Sequence, residues 1–203
     1  MDLSLYHTLN NAGWRHDWFE DVATFLSTKG EAVFIVLLAI LWFARGRLEI
    51  PGGRRAVAAA GFSALLGLGV NQVISHVWER ARPYVHHHHH LFISASHDPS
   101  FPSDHATASF ALATAIWLRN RVAGAIGLVL AAAISLSRVV VGTHYPSDVV
   151  GGAAIGVLAA LVFWLPPVRR RLDWLADGVS ELYERLARAV LRQPIGPSAG
   201  VRP

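Results

Sequence analysis

Three short stretches carry residues that can handle a phosphate: Arg82-Pro83, then Pro102-Ser103-Asp104-His105, then Ser137-Arg138 followed by His144 and Asp148. Arginine does not shed its charge, and its guanidinium offers paired donors that match phosphate oxygens, so Arg82 and Arg138 suit an anionic substrate. Ser103 is a good N-cap for a helix opening at His105, where free N–H groups and a positive dipole end would meet that anion. His144 and Asp148 are four residues apart, close enough across a helix entry at Ser147 for the carboxylate to orient an imidazole and stabilise its cation. Either histidine alone is more often structural than catalytic. In company with two arginines and a carboxylate, they compose a phosphoryl-transfer site.

Such a site exists only if its three segments meet, and the chain between them is apolar. The 203 residues are 53% hydrophobic and 16% charged, which describes one domain rich in membrane segments rather than two soluble ones. Five helical spans are expected. The first contains residues 32–44, AVFIVLLAILWFA; these 13 residues fall short of the ~20 a crossing needs, so its helix begins near Asp21 and carries Lys29 and Glu31 inside. Residues 56–78 are long enough alone, with Asn71, Gln72, Ser75 and His76 gathered near the far end. The others run over about 103–118, 122–141 and 149–165, the last stopped by Pro166-Pro167. Gly, Ala and Ser recur through all of them, as close helix contacts in lipid favour. The fold class is all-α: a membrane bundle of five to six helices crossing or re-entering the membrane, with interfacial amphipathic helices at both ends.

Arg45, Arg47, Arg54, Arg55, Arg119, Arg121 and Arg169 to Arg171 flank the apolar runs on one side, which marks that side as cytoplasmic. The same distribution accounts for the net charge of +4 and excludes a nucleic-acid partner. All three chemical stretches fall on the opposite, outer side. The chain has no cysteine, so a disulfide framework, a thiolate metal site and a cysteine nucleophile are excluded. Its first residues lack a basic stretch followed by an apolar core, and no cleavable signal peptide is expected.

The pattern resembles the type 2 phosphatidic acid phosphatase superfamily over roughly residues 56–165. That family's motifs read Lys, six residues, Arg-Pro; Pro-Ser-Gly-His; and Ser-Arg, five residues, His, three residues, Asp. The third is matched at every defined position, from Ser137 to Asp148. FPSDHA after a histidine-bearing loop further resembles the bacterial undecaprenyl diphosphate phosphatases of the bacitracin-resistance type. The resemblance implies that His144 attacks phosphorus, with Asp148 bonded to its other ring nitrogen. It implies that His105 protonates the leaving oxygen and later activates water, while Arg82, Arg138 and Ser103 hold the non-bridging oxygens. No cofactor or metal ion is implied. Two positions depart from the pattern: the family lysine falls on Ser75, for which Arg80 or His76 would substitute, and the family glycine is Asp104, which either tunes His105 or caps the helix start. Ser137 either joins the site or serves helix packing.

His86 to His90 lie inside the outer loop, where a cationic stretch at the headgroup boundary would attract a diphosphate, and His97 would join it. Residues 168–192 place Leu172, Leu175, Val179, Leu182 and Leu186 opposite a charged face, an amphipathic helix for the inner leaflet or for a second copy in a homo-oligomer. Trp14, Trp18 and Phe19 suit an outer interfacial helix. The expected organisation is therefore an N-terminal extracytoplasmic interfacial segment (1–29), a membrane-embedded phosphatase domain (30–167) and a cytoplasmic amphipathic helix with a disordered tail (168–203). The expected activity is hydrolysis of undecaprenyl diphosphate to the monophosphate at the outer face of a bacterial plasma membrane, recycling the cell-wall lipid carrier. The alternatives are a phosphatidate or phosphatidylglycerophosphate phosphatase and a non-catalytic protein that binds lipid phosphate.

Overall fold

The computed structural model describes residues 2–44, 50, 52–86 and 90–191. Regular structure among them is helical: α1 (Asp2–Arg15), α2 (Asp17–Phe43), α3 (Gly53–Val77), α4 (Pro83–His86), α5 (Asp104–Trp117), α6 (Arg121–Val140), α7 (Pro146–Trp164) and α8 (Pro166–Leu191). The middle of the histidine run, 87–89, and the tail from 192 onward lie outside the described residues.

Helices α2, α3, α6 and α7 are long and apolar enough to cross a membrane. The third expected span is different. At 14 residues α5 is about 21 Å long, short of the ~30 Å hydrocarbon core, so it is not a full crossing. It sits instead at the centre, packed against α3, α6 and α7, with Ala106, Ala111, Ala113 and Ile116 buried. A helix enclosed by protein need not match the thickness of the lipid. The chain thus builds four crossing helices around a short inner one.

Residue size sorts to match. The buried positions are rich in alanine, among them Ala59, Ala60, Ala131 and Ala160, while Ile35, Leu65, Val73, Val129, Val150 and Leu158 are exposed. Lipid provides no hydrophobic drive between helices, so close contact and polar bonds hold them together. At Gly156 of α7 a side chain would collide with the Thr107 carbonyl and the Ala111 nitrogen of α5. Nearby, Asn71 of α3 donates to the Thr107 hydroxyl at 2.8 Å, and Thr107 donates onward to the Gly152 carbonyl at 3.1 Å. One polar chain thereby joins α3, α5 and α7.

At the arginine-rich end, Arg55 pairs with Asp177, Arg54 with Glu184, and Arg119 with Asp173, so α8 is clamped beneath the bundle. Leu172 and Ala176 of α8 are buried, whereas Leu175, Val179, Leu182 and Leu186 stay exposed. At the other end Asn10 of α1 donates to the carbonyls of His90 and Val140, both at 2.8 Å. Helix α1 is therefore fastened over the end of α6.

Replacing Gly156 by alanine forces α5 and α7 apart and should cost about 1–3 kcal/mol, read as a lower unfolding temperature in detergent. Gly61→Ala, where a side chain meets nothing within 4 Å, should leave that temperature unchanged or slightly raised.

Candidate active site

The helix ends away from the Arg54, Arg55 and Arg119 clamp surround a cavity of about 610 Å³ whose wall includes Arg82, His105, Arg138 and His144. Local chain geometry delivers each of them. Arg138 is in the last turn of α6, and Gly142, with φ of +88°, takes the left-handed conformation that glycine adopts freely, which reverses the chain. The N–H groups of Thr143 and His144 then both reach back to the Arg138 carbonyl, at 3.1 and 3.3 Å. This turn holds the arginine and the histidine on one side of the cavity. Helix α5 begins at the same cavity, so its N-terminal dipole end and His105 reach the wall as well.

His144 is buried, and its Nδ1 lies 2.8 Å from the Ser100 carbonyl oxygen. A carbonyl can only accept, so Nδ1 carries the proton. Burial pushes the imidazole below the ordinary histidine range; Asp148 opposes that shift, while Arg82 and Arg138 add to it. The neutral ring therefore keeps its lone pair on Nε2, which faces Arg82 Nη1 at 3.4 Å. That contact is longer than a good hydrogen bond, and so is the 3.4 Å from Arg82 Nη1 to the Thr143 carbonyl. Arg82 is anchored through Nε to the Asp98 carbonyl at 2.8 Å. Arg138 is anchored through Nη1 to the Ser27 hydroxyl at 2.6 Å, and its buried Nε has no partner among the described residues. Two guanidiniums sharing one cavity repel each other unless an anion lies between them.

The remaining expected residues divide in two. Asp104 and Ser75 line the cavity. Asp104 accepts from Asn71 Nδ2 at 2.8 Å, which turns its charge toward an amide, and the Ser75 hydroxyl donates to the Gln72 carbonyl at 3.1 Å. Ser103, Ser137, Arg80 and Asp148 stand behind the cavity wall. Ser103 makes no side-chain cap: its hydroxyl is buried without a partner among the described residues, and its backbone N–H meets the Asp148 carbonyl at 3.1 Å. Ser137 donates to the Ile134 carbonyl one turn back, a packing role inside α6. Arg80 does not face the cavity either, because Asp148 holds its Nη1 at 2.6 Å and Asp2 its Nη2 at 2.8 Å. The expected bond from Asp148 to the His144 ring is likewise replaced. Asp148 stays 3.7 Å from Nδ1 and instead accepts from the Ser100 hydroxyl, the Tyr145 N–H and Arg80. It fixes the residue that fixes the ring.

Asp2, Ser27, Glu31 and Ser100 complete the arrangement, and none belongs to the three motif stretches. Glu31 had a visible signal as a charge inside an apolar span; Asp2, Ser27 and Ser100 had none, since their contacts are long-range. Of the histidine run, His90 stacks on Trp14 with ring centres 3.8 Å apart. Among the described residues no cluster of histidine and carboxylate groups could hold a metal ion.

Asp2 accepts from the Ser147 N–H and hydroxyl as well as from Arg80. Burial pushes its carboxyl up, but Ser147 and Arg80 outweigh that and hold it below the ordinary 3.8. A lowered folded value means the stabilisation is fully present above 3.8 and is lost as pH falls through the lowered value. The unfolding temperature of Asp2→Asn should therefore trail the parent chain at neutral pH, and the gap should close in strong acid.

Residues 56–171 match the PAP2 superfamily. Undecaprenyl-diphosphatase BcrC of Bacillus subtilis is 27% identical over 197 residues, covering 96% of this chain and 97% of that protein. A decaprenylphosphoryl-5-phosphoribose phosphatase of Mycobacterium tuberculosis is 33% identical over 132 residues, covering 63% of this chain and 68% of that one. Among solved structures, LpxE of Aquifex aeolicus shares the fold, with a TM-score of 0.66 at 24% identity over 79% of this chain and 93% of its own. The matched stretch takes in α3 through the start of α8, and with them Arg82, His105, Arg138, His144 and Asp148; the chain belongs to the PAP2 superfamily of membrane phosphatases.

Proposed function

We propose that this protein hydrolyses a polyprenyl diphosphate, undecaprenyl diphosphate first among them, to the monophosphate and inorganic phosphate through a phosphohistidine at His144. The observation that carries the reading is the tautomer of His144: Ser100 holds Nδ1–H, so the Nε2 lone pair is left toward the arginine pair. The polyprenyl choice draws on relatives whose names specify polyprenyl substrates, among them the two given above. An opening at the outer ends of the spans also suits a headgroup whose tail remains in lipid.

In the first half-reaction Nε2 of His144 bonds to phosphorus, the bond to the leaving oxygen breaks, and that oxygen takes a proton from His105. Arg82 and Arg138 stabilise the charge that grows on the non-bridging oxygens, Arg138 through its unpartnered Nε. In the second half-reaction His105 takes a proton from water, whose oxygen displaces His144 from phosphorus. The sum is substrate plus water to lipid monophosphate plus phosphate, and no step calls for a metal ion. Arginine-rich links at the far end of the bundle support an extracytoplasmic cavity in a bacterial plasma membrane, the setting for returning a cell-wall lipid carrier to use.

Phosphate release in detergent with a chelator present, from undecaprenyl diphosphate in competition with phosphatidate and phosphatidylglycerophosphate, tests the reading. The polyprenyl substrate should have a kcat/KM at least about tenfold above the diacyl lipids, and His105→Ala should lower kcat by about 10²–10⁴. Preference for a diacyl phosphate would overturn the substrate assignment, and abolition by chelator would overturn the mechanism.

A further inference from the structure

Glu31 lies where the apolar run of α2 begins, and an ionisable group inside a membrane helix is costly unless it serves a partner. Here the partner is His105, whose Nε2 is 3.6 Å from Glu31 Oε1. Four residues earlier on the same helix, Ser27 holds Arg138, so a single face of α2 carries the partners of two residues of the cavity wall. Burial, Arg138, His144 and Arg82 together hold the His105 imidazole well below the ordinary histidine range, and a phosphate between the two arginines would offset their share of that shift. Asp104, its neighbour in the chain, directs its carboxylate to Asn71. Among the described residues, Glu31 is the carboxylate within ion-pair distance of His105.

We infer that Glu31 is a positioning residue for the acid step: its carboxylate, within ion-pair distance of Nε2, orients His105 and supports its protonated form once a substrate phosphate has neutralised the two arginines. The inference rests on the acid role proposed above for His105. Glu31 transfers no proton itself, because the one His105 gives to the leaving group is replaced by the one it takes from water. Its contribution is electrostatic, and it matters in proportion to how badly the leaving group needs protonation.

That proportionality is measurable. Wild type, Glu31→Gln, Glu31→Asp and His105→Ala would be compared on 4-nitrophenyl phosphate, whose leaving group departs without help, and on dioctanoyl phosphatidate, whose alkoxide needs a proton. Glu31→Gln should lose about tenfold or more in kcat/KM, which reports leaving-group departure and not the shared hydrolysis of the phosphohistidine, on phosphatidate and less than about threefold on the aryl ester. Glu31→Asp, which keeps the charge, should retain most of the wild-type ratio. Equal losses on both substrates would make Glu31 a structural residue and overturn the inference, as would no loss on either. His105→Ala separates the two layers: if it shows no leaving-group dependence, the acid role of His105 falls. If it shows that dependence and Glu31→Gln does not, only the role of Glu31 falls.

Discussion

The carboxylate of Asp148 is wholly buried in the first turn of α7, and it must find partners there because an unpaired buried charge costs several kcal/mol. It finds Arg80 and Ser100 on the outer loop and the N–H of Tyr145 on the link from α6. Satisfying one charge therefore draws the loop and the link together over the end of the bundle. The Ser100 carbonyl then lies against Nδ1 of His144, which sets the tautomer and leaves Nε2 free to act. Asp2 extends the arrangement by holding Arg80 and Ser147, so that α1 takes part although it carries no motif residue.

Beneath this outer layer the bundle reverses the arrangement of a water-soluble protein. Large apolar side chains face outward and small ones inward, the order expected where the solvent is as apolar as leucine. Alanine and glycine let α3, α6 and α7 close around α5, whose first turn lies at the cavity, tied to the first turn of α7 through the Ser103 N–H and the Asp148 carbonyl. A phosphate in the cavity can then meet His105 and His144 together.

Much of this was legible before any coordinates. Four apolar runs predict crossing helices whose ends agree within a few residues, because lipid demands long uninterrupted helices and proline or arginine marks their limits. Arg82, His105, Arg138 and His144 share a cavity as their motif spacing implies. What stayed hidden is tertiary. Arg80 reads as a phosphate ligand because a free arginine at that depth would be one, but Asp148 and Asp2 had already claimed it. Ser103 reads as a cap from its type, and it does stand at the N-cap position of α5, yet its hydroxyl makes no cap bond. Ser27 and Ser100 are ordinary serines until the fold brings Arg138 and Asp148 to them. The third apolar run reads as a crossing, although its helix is only 14 residues long, because hydropathy reports burial in protein and burial in lipid alike.

The central claim is that His144, held by Ser100, is the nucleophile. Acid-sensitive, base-stable phosphate retained on the protein after rapid mixing with undecaprenyl diphosphate and quenching in alkali, then located by peptide mapping, tests it most directly. The account predicts phosphate on the peptide containing His144 and none on the His144→Ala chain. Phosphate on His105, or turnover at the parent rate in His144→Ala, would contradict it.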